Sequence, residues 1–207
     1  IIHYGSSLRV SGSTFRGNVA ADNGGGAIAA GGDAVVVDST FSGNSTTGRG
    51  GALTAGYNLV LRNTTITLNQ CDSADTSSDS GGGLSIRYST DVTLFNTIVA
   101  GNFKGAAPGT PSDVEGTEPL ATASRNNLIG DPATAGGLMN GVEGNLVGVD
   151  PQLMPLANNG GPTLTHALAL TSPAINAGAN AEALDVDGTT PLAFDQRGTG
   201  YTRIIAS

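Results

Sequence analysis

Two acidic stretches in this 207-residue chain hold the residue types that bind cations. "ALDVDGTTPLAFD" sets Asp185, Asp187 and Asp195 around a glycine turn, and "CDSADTSSDS" groups Asp72, Asp75 and Asp79. Asp-x-Asp-Gly is part of a calcium-loop pattern, because alternate carboxylates converge across a tight turn. No cofactor is required by the sequence; calcium is the one it admits, at Asp185 and Asp187, although the later Glu of a full loop is missing and both stretches also read as solvated acidic turns. Polysaccharide cleavage would need other groups. A lyase needs a base beside the uronate, and a glycosidase needs two carboxylates facing one bond. The chain has one lysine, Lys104, and two widely separated histidines, His3 and His166. Asp38 and Asp91 fall near aliphatic segments of non-adjacent repeats. No Ser elbow or carboxylate stands at a triad-like spacing from His166, which reads as a packed or turn-bonded side chain. A stretch with no clear alternation, 103–124, is the place where Lys104, Asp113 or Glu115 would be brought over a neighbouring face.

The elements that must position these residues repeat. "STFRGN", "STFSGN", "TTITLN" and "TIVAGN" end on Asn18, Asn44, Asn69 and Asn102, at intervals of 26, 25 and 33 residues. The longest interval contains the acidic insertion. Each repeat also carries a glycine-led block ("GGGAIA", "GGALT", "GGGLSI") and an aliphatic run ("LRV", "AVVV", "LVL", "VTL"). These blocks are rich in Val, Ile, Leu, Phe and Thr and too short for helices, so they read as strands between turns. Three short strands per period predict an all-β parallel β-helix, in which stacked coils bury a core that one coil cannot. Expected inward columns are Phe15/Phe41/Ile66/Val99, Val10/Val36/Leu61/Leu94 and Ala27/Ala52/Leu84. Asn18, Asn44, Asn69 and Asn102 are expected to form an internal amide ladder at a turn. Thr14, Thr40, Thr65 and Thr97 read as an outward threonine column, the feature an ice- or mineral-binding face would require.

Composition narrows the function. Net charge is −8 and the arginines are scattered, which excludes nucleic acid as a partner. The apolar runs are too short to span a bilayer. The single cysteine, Cys71, has no internal disulfide partner. The opening residues already read as part of a coil, so the chain is expected to be an excerpt of a longer exported protein. The division expected is β-helix coils over 1–102, a loop excursion over 103–124 and a distinct C-terminal module over 125–207.

That last module resembles a known family. "NNLIGD", "GVDPQLMPLANNGGPTLTHAL", "SPAINAG" and "DQRG" occur in this order between Arg125 and Arg203. They are similar to the choice-of-anchor Q domain, which commonly ends bacterial right-handed β-helix repeat proteins, many of them exported to the surface. The resemblance implies right-handed coils, an extracellular or cell-surface location and a C-terminal segment capping the last coils. It says almost nothing about activity. The role expected is a structural or adhesive scaffold, monomeric, meeting a glycan or cell-surface ligand. The alternative is a polysaccharide lyase or glycoside hydrolase built on the same coils.

Overall fold

The computed structural model describes residues 1–21, 24–71, 81–88, 91–106 and 109–204. Asp72, Asp75 and Asp79 lie outside the described residues.

Each period of the sequence makes one coil, and the coils stack into four sheets. The first contains Ile2–His3, Ile28–Ala30, Leu53–Ala55, Leu84–Ile86 and Val114–Gly116. The second contains Leu8–Ser11, Ala34–Val37, Leu59–Arg62 and Val92–Phe95. The third runs from Thr14–Arg16 through Thr40–Ser42, Thr65–Thr67 and Ile98–Ala100 to Leu128–Ile129 and Leu146–Val147. Pairing throughout these three is parallel. A fourth, two-residue strand follows each ladder asparagine, as at Ser45–Thr46, so a coil has one more strand than the three blocks suggest.

The register sets the core. Val10, Val36, Leu61 and Leu94 are Cα partners in succession, as are Phe15, Phe41, Ile66 and Val99. Phe15 and Phe41 stack with ring centroids 4.7 Å apart and planes within 5°, so one coil step places like side chains in contact. In the first sheet the inward column is Ile28, Leu53, Leu84 and Val114. Leu84 is thus not partnered with Ala27 and Ala52; Gly83 stands beside Ala52 in that row. The threonine column also differs by one residue. Ile98, not Thr97, partners Thr65, because Thr97 occupies the turn position before the strand.

Within 103–124, expected to loop out, Thr110–Pro111 does fold back antiparallel on Phe103–Lys104, but the two flanking segments belong to the coils. Phe103–Lys104 closes the fourth coil, and Val114–Gly116 opens the next by pairing with Leu84–Ile86. Leu120 is buried in the core. Capping falls on the segment just beyond. Leu120, Ala135, Leu138 and Val147 pack against the last core side chains, and Leu146–Val147 pairs on Leu128–Ile129. The remainder, 150–204, does not sit over the end of the stack. It runs back along the side as a strap, folded on itself by isolated antiparallel bridges such as Ala157↔Thr165 and Phe194↔Thr202. Between Ala177 and Val186 the strap bonds to coils from last to first: Asn126 Nδ2 donates to Ala177 O (3.2 Å), Arg62 pairs with Glu182 (2.9 Å), and Arg9 Nη1 donates to Val186 O (2.9 Å).

Candidate functional site: the ladders and the cleft under the strap

Four amides form a continuous chain at the turn after the third sheet, with Asn44, Asn69 and Asn102 buried and Asn18 exposed at the first coil. Asn18 Nδ2 donates to Asn44 Oδ1 (2.7 Å), Asn44 Nδ2 to Asn69 Oδ1 (2.8 Å) and Asn69 Nδ2 to Asn102 Oδ1 (2.9 Å). Each Oδ1 also accepts the backbone N–H of the asparagine in the preceding coil. The chain ends on an acid. Asp113 Oδ1 accepts from Asn102 N and Nδ2, and its Oδ2 accepts from Asp131 N. Burial pushes the Asp113 carboxyl above its usual range, while the donated bonds from Asn102 and Asp131 oppose the shift.

A second inward column at the turn before the third sheet was not anticipated. Ser39, Thr64 and Thr97 bond their hydroxyls to the carbonyls of Val37, Arg62 and Phe95. Asn127 and Asn145 continue it, with Asn127 Nδ2 donating to Asn145 Oδ1 at 3.0 Å. The signal was a polar residue immediately before every third-sheet strand. Beside it on the outside stand Asp38, Asn63, Asn96 and Asn126, all at positive φ between 47° and 55°. Asn and Asp tolerate this left-handed conformation better than bulkier residues.

The strap closes over that outer column and leaves a polar cleft. Two adjoining cavities of about 450 and 420 Å³ share Asn63, Thr65, Ile98, Leu168, Asp195 and Arg203. The Asn63 Nδ2 atom is buried there without a hydrogen-bond partner. Asp38 is paired with Arg203. Burial is the main cause that raises Asp38 to about 6; Arg203 opposes it, and the charges of Asp195 and Asp185 add to it. Asp195 also loses solvation, but the bonds from Arg197, including Nη2 at 2.6 Å, outweigh that and hold its carboxyl below the usual range.

The residues singled out for chemistry are engaged structurally. Asp187 Oδ1 accepts from Thr189 N and Thr190 N, and Oδ2 from Thr190 Oγ1 at 2.5 Å. Those bonds hold its carboxyl far below the usual range. Asp185 Oδ1 accepts from the neighbouring Val186 N. The Asp-x-Asp-Gly pattern thus builds a turn, and among the described residues no three His, Cys, Asp or Glu side chains gather as metal ligands would. His166 is turn-bonded, Nδ1 to Met154 O and Nε2 to Ser42 Oγ. Lys104 Nζ pairs with Glu115 (2.9 Å). Thr14 and Thr40 lie under the strap, bonded to Leu164 O and Gln196 Oε1, so no open threonine array exists at those coils.

The Asp38–Arg203 pair gives a pH-dependent expectation. The folded-state value of about 6 lies above the ordinary 3.8. Between those pH values the folded chain holds more protons than the unfolded one. Asp38's contribution is therefore full below pH 3.8 and declines as pH rises toward 6. Removing Arg203 takes away the group that supports the ionised form. Arg203→Met should cost about 2 kcal/mol at pH 7.5, less than a fully buried pair loses. The difference from wild type should shrink at pH 4, where Asp38 is neutral. Urea melts at the two pH values check this, and an equal cost at both contradicts the pairing.

Parallel strands repeated coil upon coil, with polar ladders inside the turns, define a parallel β-helix. The chain belongs to the right-handed β-helix family, whose region matches residues 1–136. No match was found among curated proteins or among solved structures. Among the described residues no helix is long and apolar enough to cross a membrane.

Proposed function

We propose that the protein is a structural and adhesive scaffold of an exported bacterial surface protein, a rigid rod that holds glycans on its sides without cleaving them. One observation carries this reading: the ionisable side chains best suited to catalysis serve the fold. Lys104 pairs with Glu115, Asp113 ends the amide ladder, and Asp38 and Arg203 fasten the strap. A group held in such a bond must break it before it can abstract or deliver a proton at a substrate. Bonding of the strap to successive coils also suits a rod, since each coil is fixed both to its neighbours and from the side. The ordered motifs between Arg125 and Arg203 support the surface location through their similarity to choice-of-anchor Q modules, and the Lys-poor, acidic composition agrees with it. Calcium at Asp185 and Asp187 has no part in the reading.

Affinity electrophoresis through gels containing pectate, alginate, xylan or soluble chitin tests the proposal. Retardation in at least one gel is expected. Unretarded migration in all four, with and without calcium, contradicts it.

A further inference from the structure

Three of the four tyrosines in the chain, Tyr4, Tyr57 and Tyr88, lie at one edge of the first sheet, just beyond its strands Ile2–His3, Leu53–Ala55 and Leu84–Ile86. Register explains their alignment. His3, Ala30, Ala55 and Ile86 are successive partners, so the next row is Tyr4, Gly31, Gly56 and Arg87, and Tyr57 and Tyr88 follow one residue later. All three rings are exposed, Tyr4 at 82%, Tyr57 at 59% and Tyr88 at 64%. The rows between Tyr4 and Arg87 are glycine. A Cβ on Gly31 would stand 2.5 Å from Tyr4 Cδ1, so the tyrosine ring lies directly against the glycine backbone. The result is a trough of about 660 Å³ whose lining includes Tyr4, Gly31, Thr54, Gly56, Arg87 and Tyr88.

Two features set Tyr88 apart from a chance surface aromatic. Its φ is 64°, a left-handed conformation that is an outlier for a bulky side chain and costs on the order of 1–2 kcal/mol. Burial does not repay that cost, because most of the ring remains in solvent. Its orientation is nonetheless fixed. Arg87 Nη2 donates to the hydroxyl at 3.1 Å with the guanidinium 5.0 Å from the ring centroid, and Tyr88 N donates to Thr117 Oγ1. A strained residue held in place while exposed is the pattern expected where function, not packing, selects the conformation.

We propose that this trough binds a linear, uncharged β-1,4-linked glycan. The proposal rests on the glycan-holding reading above and assigns it a site. Such a chain presents flat faces of axial C–H groups, which stack on aromatic rings, and equatorial hydroxyls at its edges, which meet phenol and guanidinium donors. Tyrosine offers both an apolar face and a polar tip. Tyr4 and Tyr88 are three coils apart, about 14 Å at one strand spacing per coil, a span for a short oligosaccharide rather than one sugar. Charge selects among polymers. Among the described residues of the lining Arg87 is the one charged side chain, and its Nη2 donates to the Tyr88 hydroxyl. A single guanidinium on a chain of net charge −8 makes no basic tract for a polyanion, and a neutral glycan needs none.

Isothermal titration of the full chain with cellohexaose, xylohexaose and chitohexaose tests this. Wild type should bind at least one. Tyr4→Ala and Tyr88→Ala should each weaken binding about tenfold and the double variant should abolish it, while Tyr88→Phe, which keeps the ring, should stay within about threefold. Thermal melts should show all four variants folded, since the rings are exposed. Undiminished binding by the double variant overturns the trough and leaves the glycan-holding reading standing. Retardation in polysaccharide gels without binding of any hexasaccharide does the same. No binding to hexasaccharide or polymer overturns both.

Discussion

Gly51→Ala is expected to abolish the cooperative fold. A Cβ at this position would stand 2.2 Å from Gly82 O and 2.5 Å from both the N and C atoms of Gln70. All three are backbone atoms, so no side chain can swing aside to make room. The coil closes here between the glycine-led block and the ladder turn, and a wider coil would pull the first sheet out of register with its neighbours. A tight core loses a few kcal/mol when overfilled by a flexible contact, and backbone collisions on both sides exceed that. Gly43→Ala is the matched comparison. Gly43 has φ of 64° and no atom within 4 Å of an added Cβ, so it should lose only the left-handed penalty, about 1–2 kcal/mol. Circular dichroism should show a cooperative melt for Gly43→Ala and none for Gly51→Ala. A melt for Gly51→Ala close to wild type would mean that the coil is wider than this packing allows.

Asn69→Ala is expected to cost about 3 kcal/mol, because a buried donor or acceptor left without a partner costs ~1–3 kcal/mol and several are affected. Asn69 is fully buried. Its Oδ1 accepts from Asn44 N and Nδ2, and its Nδ2 donates to Phe41 O, Thr67 O and Asn102 Oδ1. Truncation removes all five bonds and leaves no path for water between the coils. Asn58→Ala is the surface comparison. Asn58 bonds Asp33 and Asp91 N at exposed positions and should cost no more than about 0.5 kcal/mol. Urea unfolding of the two variants separates the cases, and equal midpoints would argue against a ladder that carries stability.

The coils were legible because burial forces repetition. Each inward position recurs once per coil, so the Phe15, Phe41, Ile66, Val99 series and the asparagine series can be aligned without coordinates. Errors arose where the blocks carry adjacent similar residues. Thr64 and Thr65 both precede Ile66, so Thr97 could be matched with either, and the structure pairs Ile98 with Thr65. The three glycines Gly81–Gly83 similarly displaced Leu84 by one position. The 103–124 stretch hid its strands because Val114–Gly116 is short and three prolines flank it. The ladder's acidic end was hidden because Asp113 lies only 11 residues from Asn102, well under one coil period. The strap's path was not legible. It has no period, and its bonds join residues far apart in sequence, such as Arg9 with Val186 and Asp38 with Arg203. The seam around Asp38 was therefore invisible, although Asp38, Asn63, Asn96 and Asn126 could have been aligned as a column. The tyrosine trough was equally hidden, since Tyr4 and Tyr57 sit one row apart and only the register brings them to one edge.

The central claim, that the chain holds glycans without cleaving them, is tested most directly by assaying the products of the retention experiment. The polymer that retards the chain is incubated with it, with and without calcium, and followed by reducing-end formation and unsaturated-product absorbance. The account predicts retention with no product above buffer. Product formation that disappears in Lys104→Ala or Asp113→Asn would show that these groups leave their structural partners to do chemistry, and would replace the scaffold with an enzyme.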